Sequence, residues 1–146
     1  MGLRLSVKEA KALGIEIPAR PAKFHNKPGR LDGIHFDSDL ELKRYAYLVW
    51  VEMANELTDL IVHPKFDLFA AGPLGPVLVG TYEGDFSYID RLGIQVVEDC
   101  KGVVLPLYVL KRNLFSANYP SIKFMEVRQC RKRWTSREIK GSHATT

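Results

Sequence analysis

The chain has two cysteines, Cys100 and Cys130. That number excludes a cysteine-rich zinc site, and in a reducing compartment it argues against a disulfide. No apolar run approaches the roughly 20 residues that a membrane span requires. The opening Met1-Gly2-Leu3-Arg4-Leu5-Ser6 lacks the continuous apolar stretch of a secretory signal, so a cytoplasmic setting is expected. Internal repeats and low-complexity tracts are missing. Charge is not strongly one-sided either: 21 Lys and Arg stand against 17 Asp and Glu, a formal net charge of +4. Such mild basicity permits a nucleic-acid partner without requiring one.

What remains is an ordinary globular composition. With 146 residues, 46% hydrophobic and 26% charged, the chain is long enough for one domain with a real core. Its most informative stretch runs from Tyr82 to Gly102. It reads as two strands around a turn at Asp90 to Gly93, where glycine accepts positive φ. The second strand, Ile94 to Lys101, is rich in β-branched residues. Alternation puts Asp99 and Lys101 on one face, and Glu98 and Cys100 on the other. Asp85 begins the preceding strand, so two carboxylates and a lysine can meet at one end of one sheet. That grouping suits metal-assisted phosphodiester cleavage, because Mg²⁺ takes hard oxygen ligands and keeps several waters. A lysine nearby can orient the attacking water and offset phosphate charge. The plain alternative is an Asp/Lys pair on a solvated strand face, and the short motif by itself does not decide between them.

Around this hairpin the elements follow in order. Ser6-Val7-Lys8-Glu9 is a capping-box pattern that opens a short helix ending near Gly14. Residues 15–30 read as a basic extended arm broken by Pro18, Pro21 and Pro28, either a linker or a strand that tracks a phosphate backbone or crosses to a second subunit. Asp32-Gly33 signals a turn. The main helix starts near Ser38, with Leu42, Tyr45, Ala46, Val49, Met53 and Leu57 as its expected buried face, widened by Leu48, Trp50 and Val51. Glu41 has two readings: it completes a capping box with Ser38, or it faces the sheet as a metal ligand. Residues 59–71, interrupted at Pro64, and 77–89 are expected strands, with 94–101 a third. Pro106 opens a second helix with an apolar stripe of Leu107, Leu110, Leu114 and Ala117, ended by Asn118 and Pro120. Residues 122–127 make a fourth strand. From Arg128 to Lys140 the chain carries Arg128, Arg131, Lys132, Arg133, Arg137 and Lys140 against Glu138 alone, interrupted by Trp134. That run is a solvated tail or, with its aromatic, a nucleic-acid grip. The division is therefore a short helix and basic arm over 1–30, a core over 31–127 and a basic tail over 128–146.

The order helix, three strands, helix, strand implies an α/β fold with a mixed sheet flanked by helices. With Glu41 on the first helix, Asp85, and Asp99-Cys100-Lys101 on the third strand, it resembles the PD-(D/E)XK nuclease superfamily, the restriction-endonuclease-like fold of core order αβββαβ. A closer resemblance covers roughly residues 24–127. Asp32-Gly33-Ile34-His35-Phe36-Asp37-Ser38, Lys43-Arg44-Tyr45, His63-Pro64-Lys65-Phe66, Asp85-Phe86, Tyr88, Val97 to Gly102, Tyr108-x-x-Lys111 and Phe115 are similar to a family of small phage nucleases that includes Holliday junction resolvases. Two positions depart from the pattern: Gly84 replaces the proline before the first acid, and the third-strand acid is Asp99, with Glu98 beside it. If that strand were bulged, Glu98 would take the metal instead.

The resemblance implies a Mg²⁺-dependent, structure-selective endonuclease, with Mn²⁺ as substitute, in which Glu41, Asp85, Asp99 and Lys101 are catalytic. Asp85, Asp99 and Glu41 would hold metal. The expected partner is branched DNA, cut by paired nicks of a homodimer in the host cytoplasm. Lys23, His25, Lys27, Arg30, Arg44, Lys111, Arg131, Lys132 and Arg133 are the expected DNA contacts. A nickase, a flap or restriction-type enzyme of the same fold, and a catalytically silent DNA-binding module are the rival expectations.

Overall fold

Ser38 sets the start of the first helix, α1 (Asp39–Met53). Its backbone is extended, and its hydroxyl accepts the Glu41 N–H at 3.1 Å, satisfying one donor the first helical turn leaves free. Asp39 and Glu41 place negative charge at the positive end of the helix dipole. The helix stops at Ala54, and Asn55 follows in the left-handed region at φ 59°, which asparagine tolerates. The buried stripe is Arg44, Tyr45 and Leu48 rather than the expected series through Met53. Trp50 and Met53 are 67% and 77% exposed, and Leu57 is buried from the next strand instead. An apolar count could not anticipate this, because a charged residue, Arg44, centres the inward face.

The computed structural model describes residues 28–140. Ahead of α1, β1 (Gly29–Leu31) and β2 (Ile34–Phe36) form a small hairpin, turned at Asp32 and Gly33 with both φ values positive. After α1 come β3 (Leu57–Val62), β4 (Lys65–Gly72), β5 (Gly75–Glu83), β6 (Phe86–Asp90) and β7 (Gln95–Cys100). The second helix α2 (Pro106–Asn118), β8 (Lys123–Cys130) and β9 (Arg133–Glu138) complete the described chain. A five-stranded sheet has the order β3-β6-β7-β8-β9. Its pairs are antiparallel except β7–β8, which is parallel. A parallel neighbour requires a crossover, and α2 supplies it. The fold is thus the mixed α/β type that the element order implied.

The order departs from αβββαβ in two places. Each of the two long strands expected over 59–71 and 77–89 breaks in the middle, at His63-Pro64 and at Gly84-Asp85. The breaks face each other: the His63 N–H donates to the Asp85 carbonyl at 3.0 Å, and the Gly84 N–H to the Pro64 carbonyl at 2.9 Å. The outer halves leave the sheet as a separate ribbon, β4–β5. Pro64 cannot donate to a ladder, which is why pairing switches there. The second departure is β9. The expected tail boundary at 128 falls inside β8, and the basic run folds back as the sheet's edge strand. The helix expected near Ser6 and the arm up to Lys27 lie outside the described residues.

Apolar side chains collect on both sheet faces. On the α1 side, Phe36, Tyr45, Leu48, Leu57, Phe86, Cys100 and Val127 form one core. On the other, Leu68, Tyr82, Val97, Phe115 and Phe124 pack between the sheet, the ribbon and α2. Here too the helix turns a different stripe inward. Phe115 is fully buried with Tyr108, Leu114 and Tyr119 around it, while Leu107 and Leu110 are exposed. Aromatic rings reach the ribbon where leucines would not: Phe66 meets Phe115 edge-on at 5.0 Å. With both faces covered, β7 is buried from Val96 to Cys100. Among the described residues no helix is long and apolar enough to cross a membrane.

Candidate functional site

At the end of β7, strand alternation sends two adjacent acids to opposite faces. Glu98, 1% exposed, points toward α1. Arg44 donates to it through Nε at 2.8 Å and Nη2 at 2.6 Å, and the Tyr88 hydroxyl donates at 2.6 Å. The guanidinium also lies 4.9 Å from the Tyr47 ring centre and 5.0 Å from that of Trp134. Three sequence expectations are corrected by this cluster. The β6–β7 register is continuous, so Glu98 is not turned toward the metal side and its oxygens are already occupied. Arg44 is buried on Glu98 and cannot reach DNA. Trp134, expected in a basic nucleic-acid grip, packs over that ion pair.

Asp99, 2% exposed, points to the α2 side. The Tyr82 hydroxyl donates to Oδ2, and the Lys101 ammonium touches Oδ1. The two groups form an ion pair, largely shielded from solvent. The Tyr108 ring lies 4.4 Å from Lys101 Nζ. Burial acts against the lysine charge, but Asp99, then Asp85 and Glu41, outweigh it and raise the ammonium pKa.

Asp85 sits at the second strand break. Its backbone N–H donates to the Glu98 carbonyl at 3.0 Å, and Oδ2 accepts the Cys100 N–H at 2.6 Å. Loss of hydration, then the negative charges of Asp99 and Glu41, push its carboxyl well above the usual range. Glu41 arrives from α1. One oxygen accepts the Ser38 hydroxyl at 3.1 Å, and the other is 3.9 Å from His63 Nε2. Burial raises its pKa, opposed by the Ser38 hydrogen bond. Glu41 therefore belongs to the helix cap and also faces the site. The four expected residues, Glu41, Asp85, Asp99 and Lys101, come together at one end of the sheet. Among the described residues no three His, Cys, Asp or Glu side chains form a ready-made metal cage.

Beside Asp99 and Lys101 opens a cavity of about 660 Å³, lined by Lys65, Thr81, Tyr82, Glu83, Leu105, Leu107, Tyr108 and Lys111. Lys111, an expected DNA contact, stands at this cavity with Nζ 3.3 Å from the Thr81 carbonyl. Arg131 and Lys132 form the exposed β8–β9 turn, and Arg133 begins β9. Val127 is level with Cys100, and β8 continues to Cys130. The turn therefore projects beyond the same sheet end as Lys101. Arg30 is exposed on β1. Lys23, His25 and Lys27 lie outside the described residues.

Two groups were not anticipated. Tyr82 holds Asp99, but the break at Gly84-Asp85 hid which face its strand would present. Glu126 is level with Asp99 on the neighbouring strand and 2% exposed. It accepts from Arg112 at 2.7 Å, Arg128 at 2.9 Å, Arg137 at 3.3 Å and the Tyr108 hydroxyl at 3.1 Å. Burial works to raise its pKa, but the hydrogen bonds from Arg128 and Tyr108 and the charges of Arg137 and Arg128 outweigh this and hold it below the usual range. The spacing Glu126-x-Arg128 was the local signal. Arg112 and Arg137 come from other elements and left none.

The chain belongs to the family described as Protein of unknown function (DUF1064), whose profile matches residues 21–135. Glu41, Asp85, Asp99 and Lys101 all lie within that span. No curated protein and no solved structure matches the chain.

Proposed function

We propose that the protein is a Mg²⁺-dependent, structure-selective DNA endonuclease of the PD-(D/E)XK type, a Holliday junction resolvase acting as a homodimer in the cytoplasm. The observation that carries this reading is the unbalanced charge at the end of β7. Asp85 is held against the charges of Asp99 and Glu41, while Lys101 is paired with Asp99. Glu98, by contrast, is matched by one cation, Arg44. Carboxylates crowded in this way fit a hard divalent cation, which needs few protein ligands because water and phosphate oxygens complete its shell. Asp85 and Asp99 would hold it, with Glu41 contributing directly or through water. Bound there, Mg²⁺ or Mn²⁺ would supply Lewis-acid polarisation of a phosphodiester and a more acidic water.

The remaining chemistry falls to the chain's own groups. Lys101, kept cationic by three carboxylates, is placed to orient a water at the scissile phosphate and to offset its charge. Tyr82 fixes the Asp99 rotamer from the opposite side. Lys111 lines the adjoining cavity and would attract the phosphate backbone, while Lys65 there is paired with Glu83 at 3.4 Å. Two active sites related by a two-fold axis would make the paired nicks that a four-way junction needs. The test is incubation of the protein with a synthetic four-way junction, a flap and a linear duplex, each with Mg²⁺ and with EDTA. Paired nicks in the junction, only with metal, are expected. Preferential cutting of flap or duplex would reassign the substrate, and no cleavage of any DNA with Mg²⁺ or Mn²⁺ would refute the enzyme.

A further inference from the structure

One strand beyond Asp99, three arginines surround a single carboxylate. Glu126 receives Arg112, Arg128 and Arg137, leaving two positive charges uncompensated on that face. Isolation of a buried acid needs only one such partner, so the excess calls for another anion. The guanidiniums also keep unused donors: each carries five, and Arg112 Nε is buried without a partner. Two adjoining cavities, about 320 and 340 Å³, share Arg137. The first is lined by Glu126, Arg128, Thr135 and Ser136, the second by Arg112, Asn113, Glu138, Ile139 and Lys140. Among the described residues, Glu126 and Glu138 are the only acids lining them.

We propose that the groove between α2 and β9 binds the phosphates of a nucleic-acid strand, with Arg128 and Arg137 as its contacting groups. Both are exposed at their outer ends while Glu126 fixes them from within, so little rotamer freedom is lost on binding. Arg133 and Thr135 share the Arg137 face by strand alternation and extend the polar track along β9. The position relative to the candidate active site follows from sheet geometry and rests on the nuclease reading. β9 is two strands from β7, about 10 Å away at 4.8 Å per strand. That separation is short enough for one strand to reach both positions within a few phosphates.

The test uses the full chain, fluorescein-labelled duplex DNA and EDTA, so it does not depend on cleavage. Anisotropy titrations from 50 to 200 mM NaCl give the slope of log K against log salt. R128Q/R137Q should flatten that slope by about 1.8 units per protomer, at roughly 0.9 per lost phosphate contact. R128K/R137K should restore it, since lysine also neutralises a phosphate. Should the double variant lose its circular-dichroism signature, R137Q alone, at a 66% exposed side chain, should flatten the slope by about 0.9. An unchanged slope in R128Q/R137Q, or in R137Q where that replaces it, overturns the track, as does failure of the wild-type protein to bind DNA. A flattened slope in a protein that never cleaves DNA leaves the track standing and removes only the nuclease reading. Metal-dependent cleavage with an unchanged slope removes only the track.

Discussion

Arg44 and Glu98 join α1 to β7 through two hydrogen bonds of 2.8 and 2.6 Å, one residue before Asp99. Their side chains are 9% and 1% exposed. The pair holds the strand end in register with the helix that carries Glu41, so the candidate site depends on it without containing it. Breaking such a pair leaves a buried charge alone, at a cost of about 3–5 kcal/mol, whereas replacing both partners is much cheaper. R44M should therefore lower the urea-unfolding free energy by that amount, and R44M/E98L should recover most of the loss. Equal stability of R44M and wild type would disprove the coupling.

Asp85 is held against the negative charges of Asp99 and Glu41. D85N removes one of those charges, while the amide oxygen can still accept the Cys100 N–H. In EDTA its melting temperature should equal or exceed that of wild type. Added Mg²⁺ should raise the wild-type melting temperature and leave D85N unmoved. Both D85N and D99N should lose cleavage yet bind four-way DNA as tightly or more tightly, because a carboxylate no longer repels phosphate. Turnover at the wild-type rate in either variant would refute their assignment as metal ligands.

Glu41 serves the helix start through Ser38 and stands near His63 at the site. E41Q keeps a group able to take part in the Ser38 hydrogen bonding but loses the charge. Melting temperature should barely move, and cleavage should fall steeply, by about 100-fold or more. Near-normal cleavage would leave Glu41 a capping residue only.

Arg131, Lys132 and Arg133 are exposed where β8 turns into β9, at the Lys101 end of the sheet. Their joint replacement by alanine should weaken binding to every DNA shape and flatten the salt slope by up to about 3 units per protomer. Stability should change little, since exposed charges contribute little to it. On the proposed reading, in which the geometry of a homodimer selects four-way over linear DNA, that preference should persist. An unchanged slope would remove the β8–β9 turn from the phosphate contacts.

Much of the site was legible before the fold. The pairing of Asp99 with Lys101 on one face, and the exile of Glu98 to the other, follow from the two-residue period of a strand. The turn at Asp90 to Gly93 brings Asp85 within reach, and Gly93 does take a positive φ of 77°. The capping role of Ser38 was likewise local, needing only a hydroxyl three residues before Glu41.

Other features had no local signature. Whether Arg44 faces solvent or Glu98 cannot be read from helix periodicity, because the partner that makes its burial affordable is 54 positions away. The same holds for Tyr82 and Asp99, 17 apart, and for Arg112 and Glu126, 14 apart. The ribbon β4–β5 and the edge strand β9 were hidden for a related reason: a strand break or a basic run looks alike whether the chain pairs again or ends in solvent. By itself, then, the sequence determined the local periods and turns, and with them the hairpin that gathers Asp85, Asp99 and Lys101. The tertiary structure decided which charges meet across elements, because a buried charge takes its position from a distant partner and not from its neighbours along the chain.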